Sequence, residues 1–141
     1  MKYLVLSDIH GSLHYAKKIE EIINKESPEK IVLLGDLYYH GPRNPLTEEY
    51  APKEVADILN SYKDKILAVR GNCDAEVDQM ISEFKLEENL RLKIGEKKFL
   101  FTHAGSISLP KNGTENSYLI IDETKISLKN VNGNLIDEIG F

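Results

Sequence analysis

The chain has 141 residues, with 41% hydrophobic and 29% charged side chains and a formal net charge of −5. This composition excludes a largely disordered chain and predicts one globular domain, residues 1–141, large enough to bury its own core. The acidic balance argues against binding of long nucleic acids, because no overall positive field attracts the phosphate backbone, but it leaves phosphate chemistry open, since bound cations can supply positive charge.

The first half of the sequence alternates predicted strands with predicted helices. KYLVLSD predicts a buried strand that ends at Asp8, and the helix after it has Ser12 as its N-cap. EKIVLLGD predicts a second strand, which opens into the long loop LYYHGPRNPLTEEYA. A helix that starts at Pro52 precedes a third strand, DKILAVRGNCD. The next helix has three apolar residues on one face, which are Val77, Met80 and Ile81.

The second half predicts hairpins. NLRLKIGEKKFLFTH predicts two strands that turn at Gly95-Glu96, and the last 25 residues predict three short strands joined at Glu123-Thr124 and at Asn132-Gly133. Alternating strands and helices followed by a meander predict an α/β fold, in which two facing mixed β-sheets are flanked by helices.

The chain has a single cysteine, Cys73, which bears on the cellular compartment. One cysteine forms no disulfide within the chain, which suits a reducing environment. The apolar run at the start is too short for a signal peptide, and no stretch approaches the length of a membrane span. We therefore expect a cytoplasmic protein.

Polar side chains stand at the ends of four predicted strands. Asp8 and His10 follow the first strand, Asp36 the second, Asn72 the third and His103 the fourth. If the first segment is extended, Asp8 and His10 point the same way and can hold one ion. Taken alone, each of these residues is common in turns and helix caps that bind no ligand. The set of Asp-x-His, Gly-Asp, Gly-Asn and His favours a ligand site at the carboxyl edge of a sheet.

This order of motifs resembles the calcineurin-like metallophosphoesterases, and within them the YfcE-like bacterial phosphodiesterases. The resemblance runs through SDIHG, GDLYYHGPRN, VRGNCDAEVDQM and FLFTH and resumes at GSISLPKNG and SYLIID. It implies an α-β-β-α sandwich. It also implies a metal-dependent phosphodiesterase that hydrolyses small phosphodiesters with a hydroxide activated by two metal ions.

The resemblance also implies a ligand set. Asp8 and His10 would hold the first ion, Asp36 would bridge both, and Asn72 and His103 would hold the second. Mixed oxygen and imidazole ligands suit manganese, iron or zinc better than calcium. Two divalent cations, with Mn²⁺ as the first expectation, are therefore the implied cofactors.

Three further residues are candidates for chemistry near the metals. Many family members have a histidine after the Gly-Asn pair that can protonate the leaving group, and Cys73 occupies that place here. Its thiol could act as a weaker acid, which would favour diesters with good leaving groups, or it could be a small buried apolar group. Arg43 and His40 could line the substrate cleft, with the guanidinium holding a phosphate, or they could belong to a solvated loop.

The sequence departs from the family pattern directly after His103. The family has a second histidine soon after this position and later a Gly-His-x-His motif, but here Ala104-Gly105-Ser106 follows and the other histidines are His10, His14 and His40. The protein could carry an internal segment that these 141 residues lack, or it could be a short variant that binds metal weakly. A degenerate, non-catalytic member acting as a protein-binding scaffold is the alternative. An uncovered sheet edge after His103 would favour a homo-oligomer.

Overall fold

A computed structural model of the chain describes residues 1–103 and 115–141. The helices in these ranges are α1 (Leu13–Glu26), α2 (Pro52–Ser61) and α3 (Glu76–Ile81). The strands are β1 (Tyr3–Leu6), β2 (Lys30–Leu33), β3 (Ile66–Val69), β4 (Leu86–Glu87), β5 (Leu90–Ile94), β6 (Lys97–Phe101), β7 (Ser117–Ile121), β8 (Lys125–Asn130) and β9 (Leu135–Gly140). None of the described helices has the length and apolar character that a membrane crossing requires. The junction of residues 103 and 104 lies outside the described ranges.

Seven of these strands form a mixed sheet in the order β4-β3-β2-β1-β7-β8-β9. Strands β1 to β4 are parallel neighbours, and β7 to β9 are antiparallel. The remaining two strands, β5 and β6, form a separate antiparallel hairpin sheet. Strand β4 is not predictable from the sequence, because a two-residue strand shows no periodicity. The carboxyl ends of β1, β2 and β3 meet at one edge of the large sheet.

The large sheet has an apolar layer on each face, as expected when alternate side chains of a strand point to opposite sides. Leu4, Leu6 and Leu33 pack with buried residues of α1 and α2 on one face. Val5 and Val32 point to the other face, where they pack with apolar residues of the small sheet. The predicted α/β fold with two sheets and flanking helices is therefore confirmed.

Most local predictions also agree with the structure. Helix α1 begins after Ser12, whose hydroxyl oxygen accepts a hydrogen bond from the backbone N–H of Tyr15 at 3.3 Å. The β5–β6 hairpin turns between Ile94 and Lys97, and the turn between β8 and β9 contains Gly133 in a left-handed conformation. Strands β7, β8 and β9 follow one another as the meander that the second half predicts.

Helix α3 forms where the sequence predicts it, but its apolar residues do not pack into the core. Val77 is 58% exposed, Met80 83% and Ile81 42%. The helix is held by polar contacts instead: the hydroxyl groups of Ser82 and Tyr38 lie 2.7 Å apart, and the Asn60 amide of α2 donates to the carbonyl of Ile81 at 2.9 Å. The periodicity identified the helix correctly, but the apolar face of the helix is not the buried one.

Candidate metal centre

The loop after β1 carries Asp8 and His10 in a turned conformation. Their φ angles are 58° and 50°, so the segment is left-handed and not extended as the sequence analysis assumed. The cause is pairing with the neighbouring loop, because the N–H groups of Asp8 and His10 donate to the carbonyls of Gly35 and Asp36, both at 2.9 Å. The two side chains still meet, with 3.0 Å between His10 Nε2 and Asp8 Oδ1.

Asp36, which follows β2, is the buried centre of the site. Its backbone also has a positive φ, of 54°. One carboxylate oxygen, Oδ1, accepts a hydrogen bond from the N–H of Cys73 at 2.7 Å. Burial, the largest influence, raises the pKa of this carboxyl above its usual range, although the hydrogen bond from Cys73 and the nearby His103 oppose that shift.

Two glycines allow the loops after β2 and β3 to touch. A Cβ on Gly35 would lie 2.2 Å from the nitrogen of Gly71, and a Cβ on Gly71 would lie 2.2 Å from Oδ1 of Asp36. Neither separation is compatible with a side chain, since the neighbouring atoms belong to backbone or to the central carboxylate. The Gly-Asp and Gly-Asn motifs therefore need glycine so that the two loops can pack around Asp36.

His103 reaches this centre from the small sheet, at the end of β6. Its Nδ1 lies 2.6 Å from the carbonyl of Leu34, and its Nε2 lies 3.2 Å from Asp36 Oδ2. His10 is held in the same way, with Nδ1 2.7 Å from the carbonyl of Tyr39. A carbonyl only accepts, so Nδ1 of each ring carries a proton and donates it. Each Nε2 is thereby directed toward the carboxylates, which is the orientation of a metal-binding imidazole.

The donor atoms form two groups that share Asp36. Asp8, Asp36 and His103 offer atoms that lie within 4.8 Å of one another, and so do His10, Asp36 and Cys73. Carboxylate and imidazole donors at this spacing fit divalent manganese, iron or zinc. The sulfur of Cys73 is a further donor, which the sequence analysis considered only as an acid or as a small apolar group. The residues present therefore fit the metal centre that the resemblance implies.

The carboxylates near His10 favour its protonated form. Burial, the largest influence, lowers its pKa, but the hydrogen bonds to Asp8 and to the carbonyl of Tyr39, with the charges of Asp8 and Asp36, outweigh burial and raise it above the usual value. The charge field of this pocket is thus negative, and it attracts cations.

The other predicted site residues lie around the two groups. Asn72 is exposed, and its Nδ2 lies 3.6 Å from the sulfur of Cys73. Burial, followed by the charge of Asp36, raises the pKa of the Cys73 thiol to about 11, so it is a weak proton donor at neutral pH. Arg43 is exposed in the loop after β2. His40 is half-buried, with its ring edge-on to Tyr39 and Tyr50 at centroid distances of 4.7 and 5.3 Å.

Asp74 is a structural residue of the site whose role the sequence does not predict. Its buried carboxylate accepts hydrogen bonds from the backbone N–H groups of Asp36 at 2.8 Å, Leu37 at 3.0 Å and Gly71 at 2.7 Å. It therefore ties the loop after β3 to the loop after β2. An aspartate three residues after a glycine is a common turn signal, and that was the only available indication of its role.

The sequence matches the calcineurin-like phosphoesterase family over residues 1–137. Phosphodiesterase YfcE of Escherichia coli K12 is 38% identical over 138 residues, which are 96% of this chain and 75% of that protein.

Solved structures agree with this assignment. The E. coli phosphoesterase Yfce superposes with a TM-score of 0.94 at 30% identity, covering 99% of this chain and 98% of that one. A novel archaeal phosphodiesterase shares the fold alone, with a TM-score of 0.56 at 16% identity and full coverage of both chains. Vps29 of Chaetomium thermophilum also shares the fold alone, with a TM-score of 0.57 at 12% identity, covering 100% of this chain and 98% of that one. The chain therefore belongs to the calcineurin-like phosphoesterase family.

Proposed function

We propose that this protein is a cytoplasmic, metal-dependent phosphodiesterase that hydrolyses small phosphodiesters at the centre around Asp36. The observation that carries the proposal is the position of the Asp36 carboxylate, which belongs to both donor groups. A group that bridges two cations must be anionic and must offer two oxygens, and a buried aspartate meets both requirements. The 38% identity to a phosphodiesterase supports a diester as the substrate class.

The residues that would hold the two divalent cations are those implied by the sequence. The proposed ligands are Asp8, His10, Asp36, Asn72 and His103, with Asp36 shared by both ions. The resemblance assigns Asp8 and His10 to one ion and Asn72 and His103 to the other, whereas the donor groups place Asp8 with His103. When bound, such a pair of cations lowers the pKa of a shared water and neutralises phosphoryl charge. Mn²⁺ is the proposed metal. The sulfur of Cys73 would shift the preference toward zinc if it binds, because thiolates are soft ligands.

Residues of the chain itself orient the ligands, supply the proton for the leaving group and bind the phosphate. The carbonyls of Tyr39 and Leu34 keep the two imidazoles oriented before any ligand arrives, so little reordering is needed on binding. Cys73, as a weak acid, would restrict catalysis to diesters with good leaving groups. Arg43 is proposed to reach a phosphate oxygen from the loop after β2, and His40 to support that side of the cleft.

Asp36→Asn tests this function. We expect the variant to lose at least about 100-fold in Mn²⁺-dependent hydrolysis of bis(4-nitrophenyl) phosphate and to bind less Mn²⁺ in equilibrium dialysis, because the bridging charge is lost. Asp64→Asn is the matched control, since Asp64 is an exposed acid before β3. Equal turnover in both variants would remove Asp36 from the mechanism.

The scaffold hypothesis is the second candidate, and one observation favours it. Of the chain's four histidines, His14 and His40 belong to neither donor group, so the two missing family histidines have no histidine replacement. A folded wild-type protein that neither binds Mn²⁺ nor hydrolyses the activated diester would exclude the enzyme and favour the scaffold.

A further inference from the structure

A groove of about 700 Å³ opens between α2 and α3. Its walls are mainly apolar or aromatic, and they include Tyr38, Tyr39, Tyr50, Ala56, Val77 and Ile81. Cavities of about 300–1,000 Å³ with such linings hold small organic ligands. The groove is thus large enough for an aromatic ring, and its chemistry is unlike that of the acidic centre.

Two residues connect the groove to the metal centre. Cys73 lines the groove, and its N–H donates to the Asp36 carboxylate. Tyr39 also lines the groove, and its carbonyl accepts the hydrogen bond from His10 Nδ1. A phosphorus atom held at Asp36 would therefore have the mouth of the groove beside it.

The construction of α3 explains why one wall of the groove is apolar. Hydrogen bonds to two other elements anchor the helix: the Ser82 hydroxyl pairs with that of Tyr38 at 2.7 Å, and Asn60 of α2 donates to the carbonyl of Ile81 at 2.9 Å. These contacts leave Val77 and Ile81, four residues apart and on one side of the helix, directed to the groove. An apolar ligand group that covered these two side chains would remove apolar surface from water, which favours binding.

We propose that this groove binds an aromatic ester group of the phosphodiester substrate, an inference that rests on the proposed function. A diester has two substituents, and the phosphate at the metal centre leaves at least one to be placed elsewhere. Tyr39 and Tyr50 offer rings for stacking or edge contacts, and the ring of His40 braces both of them edge-on. Aryl and nucleoside diesters are therefore the favoured substrate class over alkyl diesters.

The test compares phenylphosphonate with methylphosphonate as inhibitors of Mn²⁺-dependent hydrolysis of methyl 4-nitrophenyl phosphate. Each inhibitor has one anionic group for the centre and one substituent for the groove. We expect phenylphosphonate to inhibit about tenfold more strongly. Val77→Asn should bring the ratio of the two inhibition constants close to one. Met80→Asn should leave the ratio unchanged, because Met80 lies on the same helix, is more exposed and does not line the groove.

A second measurement is independent of turnover. In ¹H–¹⁵N NMR spectra, both inhibitors should shift signals next to Asp36, such as that of Cys73, but only phenylphosphonate should shift signals of residues 52–60 and 76–81. A ratio unchanged by Val77→Asn, or shifts confined to other surfaces, would overturn the proposal. A change of oligomeric state in Val77→Asn with an unchanged ratio would also overturn it and assign the groove to a second copy of the chain. Absence of turnover with the expected NMR shifts would refute the proposed function and leave the aromatic groove in place.

Discussion

Asp74 shows how a residue outside both donor groups can determine the shape of a site. Its two carboxylate oxygens accept three backbone hydrogen bonds, including one from Asp36 and one from Gly71. Hydrogen bonds to a buried charge are stronger than neutral ones, and each satisfies a backbone N–H that would otherwise lack a partner. The position of Asp36 thus depends on a side chain 38 residues further along the chain.

Asp74→Asn should therefore weaken metal binding as well as folding. An amide has only one oxygen acceptor, so at least one of the three N–H groups loses its partner. We expect the free energy of unfolding to fall by about 2 kcal/mol and Mn²⁺ affinity to fall about tenfold. Chemical denaturation and equilibrium dialysis measure the two effects, with Asp64→Asn as the control. Unchanged Mn²⁺ affinity in a less stable variant would limit Asp74 to a structural role.

At the residue scale, the sequence predicts which side chains come together better than it predicts their backbone conformation. Asp8, Asp36 and His103 could be identified because polar residues directly after apolar runs come together at a sheet edge. The left-handed turns at Asp8 and Asp36 could not be predicted, since they depend on hydrogen bonds between loops that are distant in sequence. The role of Asp74 could not be predicted either, because it accepts hydrogen bonds from residues that are distant in sequence.

At the element scale, the end of α1 is joined to the antiparallel half of the large sheet through Glu26. Its Oε1 accepts hydrogen bonds from Lys129 of β8 at 2.6 Å and from Tyr118 of β7 at 3.1 Å, and the Lys2 ammonium lies 3.5 Å from Oε2. Burial, the largest influence, would raise the pKa of Glu26, but these hydrogen bonds and charges outweigh burial and lower it. The ionised carboxylate is therefore the form that stabilises the fold.

The direction of this pKa shift gives a pH-dependent prediction. A lowered native pKa means that the stabilisation is present above the unfolded-state pKa of Glu26 and is lost as the pH falls through its native pKa. Glu26→Gln should lower the free energy of unfolding at pH 7 by about 2 kcal/mol, and the difference from wild type should shrink below about pH 4.

The matched control for Glu26 is Glu21→Gln. Glu21 pairs with Lys18 on the surface of the same helix at 2.9 Å, and loss of such a pair costs less than about 1 kcal/mol. Denaturant unfolding from pH 3 to pH 8 measures both variants. A difference between Glu26→Gln and wild type that does not change with pH would contradict the role of the charge.

Helix α3 shows what could not be predicted about an element, namely which of its faces is buried. Its apolar spacing identified a helix, but periodicity assumes that the apolar face is the buried one. The buried side is instead polar, because Asp78 and Ser82 find hydrogen-bond partners there. Sequence alone does not show which face has partners elsewhere in the chain. The helix was therefore predictable, but the groove that it borders was not.

At the scale of the whole molecule, the site joins the two sheets. Asp8 and Asp36 come from the large sheet and His103 from the small one, and the hydrogen bond from His103 to the carbonyl of Leu34 crosses between them. An apolar layer containing Val5, Val32 and Phe101 underlies this connection. Metal binding should therefore strengthen the packing of one sheet on the other.

Thermal unfolding tests this coupling. Mn²⁺ at about 100 times its Kd should stabilise the fold by about 2.7 kcal/mol and raise Tm by about 5–10 °C, and EDTA should reverse the change. His103→Gln should lose most of the Mn²⁺-dependent shift. His14→Gln should keep it, because His14 lies in α1 and in neither donor group. Equal shifts in the two variants would mean that His103 does not bind the metal.

The positive φ angles of Asp8, His10 and Asp36 have an energetic cost. A left-handed backbone costs a non-glycine residue about 1–2 kcal/mol, and glycine would relieve that strain at each position. Hydrogen bonds offset part of this cost, since His10 bonds to the carbonyl of Tyr39 and Asp36 accepts from the N–H of Cys73. Redesign for backbone freedom alone would choose glycine at these three positions and would thereby remove the donor atoms around Asp36.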